Sequence, residues 1–190
     1  KELSLRNLRL TICTIALVLV AAGAPVSAAT KGGGSGGSGP GSVIGIGIGG
    51  LLPEGAFAEF NDPSYFIQSR SLYVEKIIGG RAAAYYGDTA GSNGQGGGHV
   101  YGFDFDFLLK FGSATTFAYI YGGAGYGSLS YSAPGPTPGS AVRHSGYDWC
   151  WTGGLGVTIK RKFYIEASYV SYQTGPDTTD FIPVVIGFQW

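Results

Sequence analysis

The chain has 190 residues, with 12 Lys+Arg against 12 Asp+Glu and a formal net charge of zero, so it carries no basic footprint for nucleic acid. Glycine supplies 35 residues and aromatics 14% of the chain, while charged residues supply only 13%. That balance fits strands whose outer face meets lipid rather than water.

Residues 1–29 read as a secretory signal peptide. Lys1, Arg6 and Arg9 precede an apolar run from Leu10 to Ala24, and Val26-Ser27-Ala28 places small residues where a signal peptidase cuts, near Ala28. Gly23, Pro25 and the lack of a basic flank after the run argue against a membrane-spanning helix. Cys13 lies inside the run, well before the small residues, which argues against a lipid-modified N-terminus. The sequence starts on Lys1, so coding sequence is expected upstream. Removing the signal leaves about 160 residues, enough for one domain. Cys150 is then the only thiol and has no intramolecular partner. Residues 30–42, with GGGSGGSGPGS at their core, have the composition of a flexible linker.

Residues 43–190 contain eight strand candidates with two-residue periodicity. The first, Val43 to Leu52, alternates Ile44, Ile46 and Ile48 with glycines. The second spans about Ser64 to Ile78 and sets Leu72 and Val74 against Tyr73 and Glu75; the third spans Arg81 to Asp88. In the fourth, Tyr101, Phe103, Phe105, Phe107, Leu109 and Phe111 alternate with Gly102, Asp104, Asp106, Leu108 and Lys110. The fifth runs from Thr116 to Tyr131, the sixth from Gly146 to Lys160 and the seventh from Phe163 to Tyr172. The eighth, Phe181 to Trp190, places Ile182, Val184, Ile186, Phe188 and Trp190 on one wholly apolar face.

The connections alternate in length. Long, polar or Gly/Pro-rich segments (LPEGAFAEFNDP, DTAGSNGQGGG, SAPGPTPGSAVRHS and QTGPDTTD) alternate with tight turns expected at Gly79-Gly80, Gly112-Ser113-Ala114 and Lys160-Arg161-Lys162. Long loops at one end and short turns at the other, with an even strand number, are the layout of an outer-membrane barrel. The predicted fold class is all-β, a closed eight-stranded antiparallel up-and-down transmembrane barrel.

Three stretches carry a resemblance to a known family: the Gly-alternating first strand running into Leu51-Leu52-Pro53-Glu54-Gly55, the segment YIYGGAGYG from Tyr119 to Gly127, and the closing Asp180 to Trp190. With them, residues 43–190 resemble the small eight-stranded outer-membrane protein β-barrels, of the outer-membrane protein A/X-like kind. The resemblance implies residence in the outer membrane of a diderm bacterium. It implies outer-membrane lipids as surroundings, and a terminal strand, Ile182 to Trp190, read by the barrel-assembly machinery. It also implies a monomer, with no cofactor and no catalytic role.

With the apolar faces outward, Asp104, Asp106, Lys110, Lys160, Glu166 and Glu75 are expected to face the lumen. Eight strands enclose a space only wide enough for side chains, so these charges should neutralise one another, because an unpaired buried charge costs several kcal/mol. Trp149, Trp151, Tyr131 and Tyr172 are expected in the interfacial aromatic girdles. Other constellations carry less. Gly45 to Gly50 satisfies a dinucleotide-binding pattern formally, but Leu51-Leu52-Pro53 cannot open the helix that pattern needs. His144 and Ser145 are adjacent and on a strand would point to opposite faces, which argues against a hydrolase pair. His99 stands at a loop edge, and no cluster has metal-ligand spacing. The expected function is structural or surface-interacting, with long extracellular loops presenting the surface. The alternatives are a narrow channel or a lipid- or small-ligand-binding barrel, then a lipid-modifying enzyme of the outer membrane. A soluble lipocalin-like barrel is the structural rival and requires the Phe103/Phe105/Phe107 face to lie inside.

Overall fold

A computed structural model describes residues 41–58, 61–91, 97–134, 141–174 and 177–190. The signal peptide and nearly all of the linker lie outside them. The elements are β1 (Gly41–Glu54), a single helical turn α1 (Gly55–Ala58), a two-residue bridge β2 (Asn61–Asp62), β3 (Ser64–Glu75), β4 (Ile78–Gly91), β5 (Gly98–Gly112), β6 (Phe117–Pro134), β7 (Ala141–Ile159), β8 (Phe163–Thr174) and β9 (Asp177–Gln189).

Apart from β2, each strand pairs antiparallel with its neighbours in sequence, and β9 closes on β1 from Gly45↔Gln189 to Glu54↔Asp180. The result is a closed eight-stranded up-and-down barrel, in which no long strand is left with an unpaired edge. The alternation seen in sequence sets the facing: Ile46, Ile48, Phe103, Phe105, Phe107, Leu155, Ile165, Ile186 and Phe188 are exposed on the outside. Phe105 is 63% exposed, whereas its strand neighbours Asp104 and Asp106 are buried. The soluble lipocalin-like alternative required the reverse.

Several boundaries differ from the sequence expectation. β1 begins at Gly41, so the last two linker residues pair with Val74 and Tyr73. The β3–β4 turn is Lys76-Ile77, with Lys76 at φ 54°, while Gly79 and Gly80 belong to the β4 ladder. The expected long connection from Ser132 to Ser145 is mostly ladder, because β6 and β7 pair as far as Pro134↔Ala141. Likewise β8 and β9 pair up to Thr174↔Asp177. These two connections are therefore largely extensions of their hairpins.

One connection folds inward. Between β1 and β3, α1 carries Phe57 into the mouth of the barrel, where it is buried against Tyr131 with ring centroids 5.4 Å apart. Asn61 fixes this cap: its Nδ2 donates to the Phe57 carbonyl (3.0 Å) and its Oδ1 accepts from Thr89 Oγ1 (2.9 Å).

Inside, tyrosine rings lie over glycines of the adjoining strands. Tyr164 covers Gly47 and Gly187, Tyr119 covers Gly156 and Tyr121 covers Gly154; a Cβ at any of these glycines would overlap the ring. Each tyrosine occupies the space that a side chain at the facing glycine would need, and glycine makes the seat. Overpacking a filled core costs about 1–3 kcal/mol. Gly187→Ala should therefore lower the urea midpoint of the refolded protein, followed by tryptophan fluorescence, by an amount corresponding to about that cost. Combining it with Tyr164→Leu should recover part of the loss, whereas unrelated sites would simply add.

Candidate functional site

The barrel interior has three layers along its axis. Toward the long-loop end, Leu51, Phe57, Phe66, Tyr85, Val100, Leu129, Val170, Tyr172 and Phe181 belong to one apolar cluster. Toward the short-turn end, Leu72, Leu108, Phe117, Tyr119 and Tyr121 form a second, with Val43 and Val74 against it. A charged layer lies between them.

Two arginines and three carboxylates make that layer. Arg81 of β4 sits opposite Asp106 in the β4–β5 register, and its Nη1 donates to both Asp104 and Asp106 of β5 at 2.5 Å. Its Nε reaches across the lumen to Glu166 Oε1 of β8 at 3.2 Å. Arg70 of β3 donates through Nη1 to Glu166 and to the Tyr119 hydroxyl, and through Nη2 to Gln189 Oε1 at 2.5 Å. Its guanidinium plane lies over the Tyr164 ring, 3.5 Å from the centroid, and that of Arg81 over Tyr121 at 4.4 Å. Such stacking suits the flat, weakly hydrated guanidinium.

Three carboxylates face two guanidinium groups, and neutral donors supply the rest. Glu166 accepts from Gln68 Nε2 (2.6 Å) and from the Tyr119 hydroxyl (2.8 Å), and Asp106 accepts from Thr152. Both arginines and all three acids are buried. Charges this deep persist when paired, and Arg70 Nε is a buried donor of the layer with no hydrogen-bond partner among the described residues. The layer joins β3, β4, β5, β6, β7, β8 and β9 and can hold their relative register. It offers no placed nucleophile, and among the described residues no group of three or more His, Cys, Asp or Glu could hold a metal.

The six charges expected in the lumen divide into two sets. Asp104, Asp106 and Glu166 lie in the layer. Lys110 occupies an inward position on β5 but stands below the apolar plug, with Nζ 4.9 Å from the Phe117 ring centroid and no carboxylate within ion-pair distance among the described residues. Lys160 is exposed in the β7–β8 turn at φ 51°. Glu75 is exposed at the short-turn end of β3 and pairs on the outside with the Tyr73 hydroxyl (3.4 Å). The β3 register accounts for it: Phe66, Gln68, Arg70 and Leu72 point inward, which turns Tyr73 and Glu75 outward. The partners of the acids are Arg70 and Arg81, which the sequence reading did not place in the lumen.

The girdle assignments divide in the same way. Trp149 and Trp151 are exposed on the outside of β7. Tyr172 is buried inside, its hydroxyl 2.7 Å from that of Tyr85. Tyr131 also packs inward, onto Phe57. The outer aromatic cluster comprises instead Tyr101, Phe103, Tyr126, Tyr147 and Trp149, with Tyr126 edge-on to Trp149 at 5.3 Å and the Tyr101 and Tyr147 hydroxyls 2.7 Å apart. Among the described residues the single free cysteine, Cys150, is buried beside Tyr85.

Solved structures share this architecture. The N-terminal barrel domain of Pseudomonas aeruginosa OprF matches with a TM-score of 0.51 at 14% identity, covering 80% of this chain and 99% of that one. Ail, the attachment invasion locus protein of Yersinia pestis, matches at 0.53 and 15%, covering 78% and 97%. The fold is that of the small eight-stranded outer-membrane barrels. The outer membrane enzyme PagL also shares it, at 0.51 and 13%, covering 77% of this chain and 97% of that one. No family model and no curated protein matches the sequence. An outer-membrane barrel of this size thus accommodates both enzymes and non-enzymes, and fold alone does not choose between them.

Removing one member of a buried ion pair strands the other and costs about 3–5 kcal/mol. Arg81→Met should accordingly be among the most damaging single substitutions in the barrel, read as a loss of that order in urea unfolding in lipid vesicles. Thr152→Val removes one neutral donor, and its loss should be smaller, about 1–3 kcal/mol.

Proposed function

We propose that the protein is an integral outer-membrane protein whose sealed barrel serves as a non-conducting scaffold, with a structural or surface-interaction role at its long-loop end. The observation carrying this reading is the outer face itself. On β7, Ile159, Val157, Leu155, Trp151 and Trp149 are exposed in sequence, ending on a tryptophan 64% exposed. The ten steps from Trp149 to Ile159, at a rise of about 3.3 Å and a tilt of about 40°, cover about 25 Å, the height of the apolar band of an outer-membrane barrel. In this orientation the short turns and both ends of the barrel chain face the periplasm, and the extended hairpins face outward. The surrounding lipid and the assembly machinery that would read the closing strand are its expected partners.

The two apolar plugs favour a scaffold over a channel, because an ion on the axis would cross both without a polar surface to replace its water. Enzymatic action has one geometric suggestion. The register aligns Asp88, His99 and Ser130 in one outward row across β4, β5 and β6. Ser130, however, is only 3% exposed, and Asp88 already accepts from the Tyr65 hydroxyl (3.1 Å) and the Thr89 amide (3.0 Å), so the row resembles a closed surface more than a substrate site.

Membrane residence makes a sharp prediction at Phe105. An arginine at a solvent-exposed position of a soluble protein changes stability by about 0.5 kcal/mol or less, but near the bilayer midplane it costs about 2–4 kcal/mol. Phe105→Arg should show the larger loss in vesicles, with His99→Arg, closer to the aromatic rim, much less affected. In planar bilayers the purified protein should carry no sustained ohmic current; steady conductance would replace the scaffold reading with a channel.

A further inference from the structure

Below the short-turn plug a cavity of about 70 Å³ opens at the mouth of the barrel, lined by Ser42, Val43, Val74, Lys110, Ala114, Phe117, Arg161 and Gln189. We propose that it is a binding site for a single small oxyanion of the phosphate type.

The lining has two cations and no acid. Among the described residues Lys110 has only the Phe117 ring as a charge partner, and Phe117 is part of the plug that separates the cavity from the carboxylates above it. Arg161 is held in place: its backbone amide donates to the Thr115 carbonyl (2.8 Å) and its Nε to the Ala114 carbonyl (3.1 Å), and the two terminal nitrogens of the guanidinium have no hydrogen bond to the described residues. Gln189 provides an independent indication. It is 1% exposed, and Arg70 donates to its Oε1, which fixes the orientation of the amide. Its Nε2 then remains a buried donor with no partner among the described residues. An unmade hydrogen bond of that kind costs about 1–3 kcal/mol, and an acceptor in the cavity would remove the cost. Three kinds of donor line the same cavity: a point charge, a planar fork and a neutral amide. That set suits a tetrahedral oxyanion carrying several acceptor oxygens. A volume of about 70 Å³ exceeds the roughly 10–15 Å³ one water requires, so there is room for such a group.

Phosphate oxygens could come from a soluble phosphate or from the headgroup of an anionic phospholipid in the adjoining leaflet. The test uses the full mature chain in phosphatidylcholine nanodiscs, titrated with inorganic phosphate at constant ionic strength maintained with chloride. Binding is followed by calorimetry and by the side-chain amide resonance of Gln189. Saturable binding that shifts this resonance is expected, weakened at least tenfold by Lys110→Gln and by Arg161→Gln and unchanged by Lys76→Gln, a cation of the same rim outside the cavity. Repeating the titration in discs containing phosphatidylglycerol separates the sources: a Gln189 resonance already shifted before phosphate is added assigns the site to the lipid headgroup, and a resonance that moves only on adding phosphate assigns it to a soluble oxyanion. The proposal is overturned if phosphate leaves the Gln189 resonance unmoved, or if Lys76→Gln weakens binding as much as Lys110→Gln does, since attraction would then be diffuse.

Discussion

The lumen of an eight-stranded barrel is about one large side chain wide, and each inward position has to be compatible with what projects from the opposite wall. This chain meets that limit by pairing tyrosines with glycines. Tyr119, Tyr121 and Tyr164 lie along the wall over Gly156, Gly154 and the Gly47/Gly187 pair, which leaves the axis to the arginine side chains. Arg70 and Arg81 then use the tyrosine faces as platforms. The abundant glycine of the composition therefore serves packing, and the same arrangement positions the charges.

Hydrogen bonds around a closed barrel fix each strand only against its two neighbours, and a shift of one residue would exchange its inner and outer faces. The charged layer adds constraints across the lumen. Glu166 of β8 is held by arginines of β3 and β4, and Arg81 is held by acids of β5 and β8. Slipping any of these strands by one residue would carry a charge to the apolar outside and leave its partner buried alone. Buried ion pairs add little net stability over apolar packing, but loss of one member is severe. The layer thus penalises wrong registers more than it stabilises the right one.

How far the sequence could be read follows from the same physics. Strict alternation in β5 and β9 identified the outer face, because in those strands nearly every outward residue is large and apolar. The rule that apolar means outward fails where the lumen is plugged. Leu72, Val74 and Tyr172 are apolar or aromatic and point inward, which puts Glu75 outside and Tyr172 inside, the reverse of what that rule predicts. Charge alone was equally ambiguous. Lys160 stands at a strand end, where a long side chain reaches water easily, whereas Arg70 and Arg81 lie within β3 and β4. Arg70 stands midway along β3 between Ser69 and Ser71, far from either turn. That position was the available signal for a buried cation, and the apolar-face rule gave it no weight.

Above the aromatic cluster the structure changes character. Ser128 lies between Tyr101 and Tyr147 in the register of β5, β6 and β7, and this small residue lets the two hydroxyls meet over it. Beyond this row the β6–β7 ladder continues from Leu129↔Gly146 to Pro134↔Ala141. A hairpin already ordered by its own backbone bonds has less conformational entropy to lose on meeting a partner than a free loop of the same length. A surface role for this barrel would therefore rest on a preorganised two-stranded ridge, anchored at the membrane boundary by the tyrosine bridge.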